Sequence, residues 1–288
     1  MNRALAAVGI VSLVAFLADA APQSPAVDDV LVRATTYVVE FIKRFANVVA
    51  EEQYVQESAT LPRVTGSGTN KSFDQPTPIR RVLKSDFLLI RRETNAEWNT
   101  FRDVFEVDGR PVRDRRERLT RLLARPTVEA DQEARRIAVE GARYHLGGSG
   151  RTINNPLTVL ALLQPRYQSR FRFTPGKPDK AFSTNVAVID YQEQSRPTIL
   201  RLQGDADSPM AGRLWIESGT GRLVKTELVV SGNDRVTTTF QFDERFRIAV
   251  PIELRESFVV GRTAIEGRAT YGQFRQFVVS TEEKINIK

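Results

Sequence analysis

From Val27 onward, hydrophobic positions recur every three or four residues, and this spacing predicts one long amphipathic helix. The stripe continues to Ala50, and the charged residues fall largely on the other side. Asp28 and Asp29 stand at its start, where the helix dipole favours negative charge. We therefore expect a helix over Val27–Ala50, and a first strand in the polar and apolar residues that follow it at Glu51–Gln56.

Farther along the chain the period changes to two, which is the spacing of strands that have one apolar and one wet face. The runs Ile79–Arg92 and Trp98–Val107 are rich in β-branched and aromatic residues, and Asp108-Gly109 predicts a tight turn after them. More alternating runs, separated by turn signals, extend from Arg166 to the end of the chain. We expect an antiparallel meander whose apolar face is covered by the N-terminal helix.

The segment Arg113–Leu163 interrupts the strands and predicts a helical insertion. Leucines recur among charges over Asp114–Ala124, which indicates a first helix. Thr127 can cap a second helix that extends to about Tyr144. An Asn-Pro pair then precedes Leu157–Leu163, which is typical of a short apolar helix.

The start of this insertion is the one basic cluster of the chain, extending from Arg113 to Arg125. Acids at helical spacing, such as Asp114 with Arg118, favour a solvated face whose charges pair with one another. A surface for an envelope protein or an anionic membrane is the alternative. The net charge of +7 is otherwise scattered among acids, so we expect no nucleic-acid partner.

The first twenty residues have the three parts of a secretory signal peptide: a basic start at Arg3, an apolar stretch over Ala4–Leu17 and an A-x-A ending at Ala20. The stretch is shorter than the about 20 apolar residues that span a bilayer. Cysteine is absent, which excludes disulfides and a lipid-modified cysteine at the cleavage site. We expect a signal peptide over 1–20 and one soluble, unanchored domain over 21–288, periplasmic or secreted.

Candidate chemistry is sparse. His145 is the only histidine, and the glycine-rich segment beside it does not fit the G-x-S-x-G motif of a nucleophile. One histidine without cysteine makes no usual zinc site. The adjacent acids Glu51 and Glu52 would point to opposite faces of a strand, and neither has a partner for acid–base hydrolysis. We expect no catalytic residue, no metal site and no cofactor.

Three sequence stretches carry a resemblance to a known family: Val48–Tyr54 after the long helix, the G-x-L-W-I-x…T-G-x-L hairpin over Gly212–Glu227, and the Y-x-x-F-R-x-F ending within Gly267–Phe277. Together they resemble the outer-membrane lipoprotein-sorting and carrier superfamily, whose members are periplasmic. The resemblance implies an unclosed antiparallel half-barrel, covered by the N-terminal helix and short lid helices. It also implies that acyl chains or other hydrophobic ligands bind in between, without metal, cofactor or catalysis.

The sequence therefore predicts an α+β fold, an antiparallel β half-barrel with a long N-terminal helix and a helical insertion. The function expected is that of a non-enzymatic carrier of a hydrophobic ligand or of lipoprotein acyl chains. A structural or interaction protein of the cell envelope, which would dock through Arg113–Leu163, is the alternative. The candidate residues that line the ligand cavity are Phe41, Phe45, Trp215, Phe240, Phe258, Tyr271 and Phe277. For each of them, plain packing in the core is the alternative interpretation.

Overall fold

One large antiparallel sheet forms the framework of the protein. Its strands, in the order in which they pair, are β6 (Arg110–Pro111), β5 (Trp98–Val107), β4 (Ile79–Arg91), β1 (Val48–Thr60), β13 (Thr263–Val278), β12 (Ile248–Val260), β11 (Asp234–Asp243), β10 (Leu223–Val230), β9 (Ala211–Glu217), β8 (Val186–Glu193) and β7 (Phe171–Pro175). β14 (Asn286–Ile287) pairs with the end of β13, and β2 (Arg63–Thr65) forms a separate hairpin with β3 (Ser72–Asp74).

The computed structural model describes residues 26–46, 48–60, 63–65, 72–74, 77–91, 98–115, 128–147, 154–201, 206–230, 234–278 and 286–287. Within these residues the outermost strands, β6 and β7, do not pair with each other, so the sheet is an unclosed half-barrel. This confirms the predicted α+β half-barrel. The predicted signal peptide and most of the first predicted insertion helix lie outside the described residues.

Helix α1 (Val27–Phe45) covers one face of the sheet, which we call the concave face. Its apolar stripe is buried, as the spacing predicts: Val30, Leu31, Ala34, Val38, Phe41, Ile42 and Phe45. The helix is shorter than expected, because Val48 and Val49 already pair with β13, and Val49 also pairs with β4. β-branched residues fit such a pleated surface, so β1 begins at Val48 instead of Glu51.

The insertion contributes two covering elements. Helix α2 (Val128–Ala142) agrees with the second predicted insertion helix. It approaches β5 closely, since a Cβ atom on Gly141 would lie 3.0 Å from the carbonyl oxygen of Arg102. The third predicted helix is a 3-10 helix (Thr158–Leu163), and its leucines pack against α1 and the core. No helix in the described ranges is both long and apolar enough to cross a membrane.

The strand expected from Arg166 begins only at Phe171, because the short helix α3 (Pro165–Gln168) precedes it. Pro165 stands at the first position of this helix, where proline is well tolerated. Proline also lacks the amide hydrogen that pairing with a neighbouring strand requires. The predicted turn between β5 and β6 is confirmed, since Asp108 and Gly109 have φ angles of 49° and 79°. Such left-handed angles match the twist of the flanking strands.

Candidate functional site

The apolar part of the concave face lies beneath α1. The rings of Phe41 and Phe45 stack with centroids 5.1 Å apart, and Phe45 meets Phe274 of β13 edge-on at 6.3 Å. Phe240 and Tyr271 belong to the same core cluster. The fold therefore brings four of the seven candidate lining residues to one apolar layer between the sheet and its helical cover.

Trp215 lies on the opposite, convex face of the sheet. Its neighbours Leu214 and Ile216 point into the core, so the two-residue period of β9 turns Trp215 outward. There its indole Nε1 donates to Asp179 Oδ2 at 3.0 Å, and Lys225 Nζ lies 4.5 Å from the ring centroid. This placement corrects the expectation that Trp215 lines the concave face with the other aromatic residues.

Phe258 lies apart from the layer beneath α1. Phe258 shares its face with Leu254 but lies farther along β12, under the turn that follows α2, where a Cβ on Gly147 would be 3.3 Å from its ring. Phe277 belongs to β13 and pairs with Ile287. Its side chain lies outside the described residues.

A buried ion pair also lies on the concave face, and the sequence did not single it out. Glu52 of β1 is fully buried, and Arg102 of β5 has only 13% of its side chain exposed. Arg102 Nη2 donates to Glu52 Oε1 at 2.7 Å, and Arg102 Nε donates to Oε2. Ser85 Oγ of β4 donates to Glu52 Oε2 at 2.7 Å.

The same guanidinium also reaches the insertion. Arg102 Nη2 donates to the backbone oxygen of Asn154 at 3.0 Å, and Nη1 donates to Asn154 Oδ1 at 3.3 Å. We call Glu52, Ser85, Arg102 and Asn154 the interior polar cluster. Burial alone would lower the pKa of Arg102, but the charge and hydrogen bonds of Glu52 outweigh it and raise this pKa above its ordinary value. Arg102 is therefore charged at every working pH.

Two aromatic rings border this cluster. The guanidinium carbon of Arg102 lies 5.4 Å from the centroid of the Tyr54 ring, a cation–π distance. The ring of Tyr271 meets Phe87 edge-on at 5.5 Å. Burial, and then the nearby charge of Glu52, raise the pKa of Tyr271 well above its ordinary value. Its hydroxyl thus stays neutral, and the polar cluster directly adjoins apolar surface.

A second polar group continues along the inner row of β1. The hydroxyl of Tyr54 donates to Glu256 of β12, and Gln56 Nε2 lies 3.4 Å from the same carboxylate oxygen. Glycine is needed at position 267, because a Cβ there would lie 2.6 Å from Glu256 Cγ. His145, the single histidine, packs its ring 5.2 Å from that of Tyr54.

A small set of polar contacts fastens the insertion to the sheet. We define the insertion cover as α2 with residues 143–147, together with Asn154 and Asn155, which precede the buried 3-10 helix. Besides Arg102, Arg81 Nη1 donates to the oxygen of Tyr144 at 2.9 Å, and the amide of Leu146 donates to Gln56 Oε1 at 3.0 Å. Asn155 Nδ2 also donates to Thr100 Oγ1. α1, in contrast, is held mainly by its buried apolar stripe.

The adjacent acids Glu51 and Glu52 do point to opposite faces, as their strand positions predict. On the convex face Arg115 Nη2 donates to Glu51 Oε2 at 2.9 Å and to Asp86 Oδ1 at 2.6 Å. Arg275 donates to the same Asp86 oxygen at 2.7 Å. Glu51 therefore lies next to the carboxylate of Asp86, and the two acids share the guanidinium of Arg115, whereas Glu52 is bound by Arg102.

The described part of the basic cluster is not a solvated, self-paired face. Arg113 Nη1 lies 3.2 Å from Asp103 Oδ1 and 3.1 Å from Glu140 Oε2, which joins β5 to α2. Arg115 binds Glu51 and Asp86. Arg113 and Arg115 therefore both form ion pairs within the chain. The remaining arginines of this cluster lie outside the described residues. Among the residues that the structure describes, no group of three or more acidic or histidine side chains could hold a metal ion.

Comparison with protein-family models finds no match, and comparison with curated proteins finds none either. Comparison with solved structures finds an outer membrane lipoprotein-sorting protein domain from Vibrio parahaemolyticus. The two chains are 9% identical, the match covers 87% of this chain and 95% of that one, and the TM-score is 0.33. A match at this level of similarity does not assign a ligand to this chain.

Proposed function

We propose that this protein is a non-enzymatic carrier that holds a hydrophobic ligand, such as acyl chains, between the concave face and its helical cover. One observation carries the proposal: the concave face of the half-barrel has a continuous apolar layer beneath α1 and is covered by helices instead of strands. Because the end strands do not pair, the cover can move without breaking any strand pairing.

The two parts of the cover differ in how they are held. α1 and the 3-10 helix Thr158–Leu163 bury apolar residues in the core, and their release would expose these residues to water. The insertion cover is fastened to β1, β4 and β5 by the contacts of Arg102, Arg81 and Gln56 described above. Polar contacts can be exchanged for contacts with water at small net cost. The insertion cover is therefore the part that opens, and the ligand enters beneath it.

We further propose that this carrier works outside the cytoplasm, as one domain over residues 21–288. The pattern of the first twenty residues supports export, since it has the basic start, apolar core and A-x-A ending of a signal peptide. Burial of each CH₂ group of a ligand contributes about 0.8 kcal/mol, so one acyl chain supplies enough free energy for binding. No catalytic step is part of the proposal.

Native mass spectrometry of the chain purified from Ala21 tests the proposal. We expect extra mass that disappears on organic extraction, and uptake of diacylglycerol or of the neutral apolar dye N-phenylnaphthylamine by the extracted protein. Circular dichroism before and after extraction verifies that the fold persists. A bare mass, together with no uptake of either compound by folded protein, would exclude a carrier.

A further inference from the structure

The guanidinium of Arg102 faces two kinds of acceptor. Two of its nitrogen atoms, Nε and Nη2, donate to the carboxylate of Glu52 on the sheet. Nη1 and Nη2 also donate to the side-chain and backbone oxygens of Asn154, which belongs to the insertion cover. The acceptors on the sheet side are charged, and those on the cover side are neutral amide oxygens.

Charge within the cluster is already balanced on the sheet side. Glu52 is fully buried and binds Arg102 in a bidentate manner, and Ser85 adds a neutral donor. An additional anion at the cover side of Arg102 would leave one net negative charge in a buried, low-dielectric place, which is costly. An uncharged oxygen acceptor adds no charge, as the two oxygens of Asn154 show.

Apolar residues adjoin the polar cluster around Arg102 and continue along the concave face. Phe87 and Tyr271, whose rings meet at 5.5 Å, belong to the apolar core that continues beneath α1. A ligand that placed an oxygen at Arg102 would therefore lie with its hydrocarbon part along the concave face. Opening of the insertion cover removes Asn154 and leaves the cover-side donors of Arg102 for such an oxygen.

We infer that Asn154 is a built-in competitor for the ligand: its two oxygens occupy donors of Arg102 that an uncharged carbonyl group of the bound ligand takes over. Asn154 thereby sets the affinity, and the neutralised Arg102–Glu52 pair selects uncharged ligands over anionic ones of the same chain length. This inference rests on the proposed carrier function and adds the chemical class of the ligand's polar end.

Competition between laurate and methyl laurate tests the inference, because the two share one chain and differ in charge at pH 8. Displacement of N-phenylnaphthylamine from the full chain beginning at Ala21 reports both affinities. We expect methyl laurate to bind at least about tenfold more tightly, since only laurate brings an unbalanced charge into the site. Asn154→Ala should tighten methyl laurate binding severalfold, a gain that a misfolded variant cannot produce.

Glu52→Gln should shift the preference toward laurate, since it leaves the charge of Arg102 unbalanced. Asp190→Asn is the matched control, because it alters an exposed pair with Arg213 on β9 and should leave the preference unchanged. Equal binding of the two ligands to wild type, or unchanged binding of methyl laurate by Asn154→Ala, would overturn the inference. If the protein still took up the dye, the proposed carrier function would stand. Absence of dye uptake would overturn both. If Glu52→Gln does not fold, wild type and Asn154→Ala decide alone.

Discussion

Arg102 and Glu52 form a bidentate ion pair inside the half-barrel, with Arg102 Nη2 2.7 Å from Glu52 Oε1. The pair joins β5 to β1 across the intervening β4, and it touches the insertion cover through Asn154. The polar end of the proposed site and the fastening of its cover are therefore the same group of atoms.

Loss of one member of this pair should be more costly than loss of both. Arg102→Met leaves the buried carboxylate of Glu52 without its cation, and we expect a loss of about 3–5 kcal/mol in the free energy of unfolding. The double variant Arg102→Met/Glu52→Gln removes both charges and should recover part of that loss. Urea denaturation of both single variants and the double variant measures the coupling. The exposed pair variant Asp190→Asn should cost about 1 kcal/mol or less, and strictly additive losses at the interior pair would show that the two residues are not coupled.

The aromatic layer beneath α1 should contribute strongly to stability. Phe45 is fully buried and contacts both Phe41 and Phe274. Phe45→Ala removes these contacts and leaves a cavity, so we expect a loss of about 3–5 kcal/mol in unfolding free energy. Val32→Ala on the exposed side of the same helix is the control, because Val32 is 66% exposed. Equal effects of the two substitutions would contradict the described orientation of α1.

The hairpin between β9 and β10 lies directly against α1. Gly221 has a φ angle of +74°, and a Cβ there would lie 2.2 Å from the carbonyl carbon of Arg33. Gly221→Ala should therefore cost about 3 kcal/mol or more through the clash and the strained backbone. Gly219→Ala in the same turn meets no atom within 4 Å and should be nearly neutral. A thermal shift of similar size in both variants would show that α1 does not rest on this hairpin.

Tyr37 should make the protein less stable at high pH. Burial raises the pKa of Tyr37 from 10.0 to about 12, against the opposing hydrogen bond from the amide of Ala249. Below pH 10 the hydroxyl is neutral in both states, so stability does not change there. Between pH 10 and 12 only the unfolded state loses the proton, and stability falls by at most about 3 kcal/mol.

Denaturation of wild type and Tyr37→Phe at several pH values between 8 and 12 isolates this contribution. The variant lacks the titrating hydroxyl, so its curve should fall less steeply than that of wild type above pH 10. Parallel curves over the whole range would show that Tyr37 titrates alike in the folded and unfolded states.

The sequence predicts most of the framework because strand alternation and turn residues act locally. The alternation identifies β4, β5 and the strands of the C-terminal meander, and Asp108-Gly109 locates a turn correctly. The end of α1 was mispredicted, because Val48, Val49 and Ala50 continue the helical spacing while strand pairing on both sides holds them extended. That competition depends on strands far away along the chain.

The candidate site was less predictable. Two-residue alternation through Ala50, Glu52 and Tyr54 indicates that Glu52 faces inward, but its partner Arg102 is 50 residues away and no local pattern connects them. The same alternation indicates that Trp215 faces outward, because its neighbours Leu214 and Ile216 are both apolar and face the core. Aromatic character alone does not decide which face of a strand a residue occupies.

The claim that a ligand enters beneath the insertion cover can be tested by locking that cover to β5. The chain has no cysteine of its own, and the side chains of Thr100 and Asn155 are in contact, so we expect oxidation of Thr100→Cys/Asn155→Cys to link the two positions, which the loss of free thiols verifies. The control pair Thr60→Cys/Thr263→Cys joins β1 to β13 away from the cover, where the two hydroxyls are 3.1 Å apart.

The decisive measurement is the rate of N-phenylnaphthylamine uptake by each delipidated variant, oxidised and then reduced. We predict that the oxidised Thr100→Cys/Asn155→Cys protein takes up no dye, that reduction restores uptake, and that the control pair takes up dye in both states. Equal uptake by the locked and the reduced protein would contradict entry of the ligand beneath this cover.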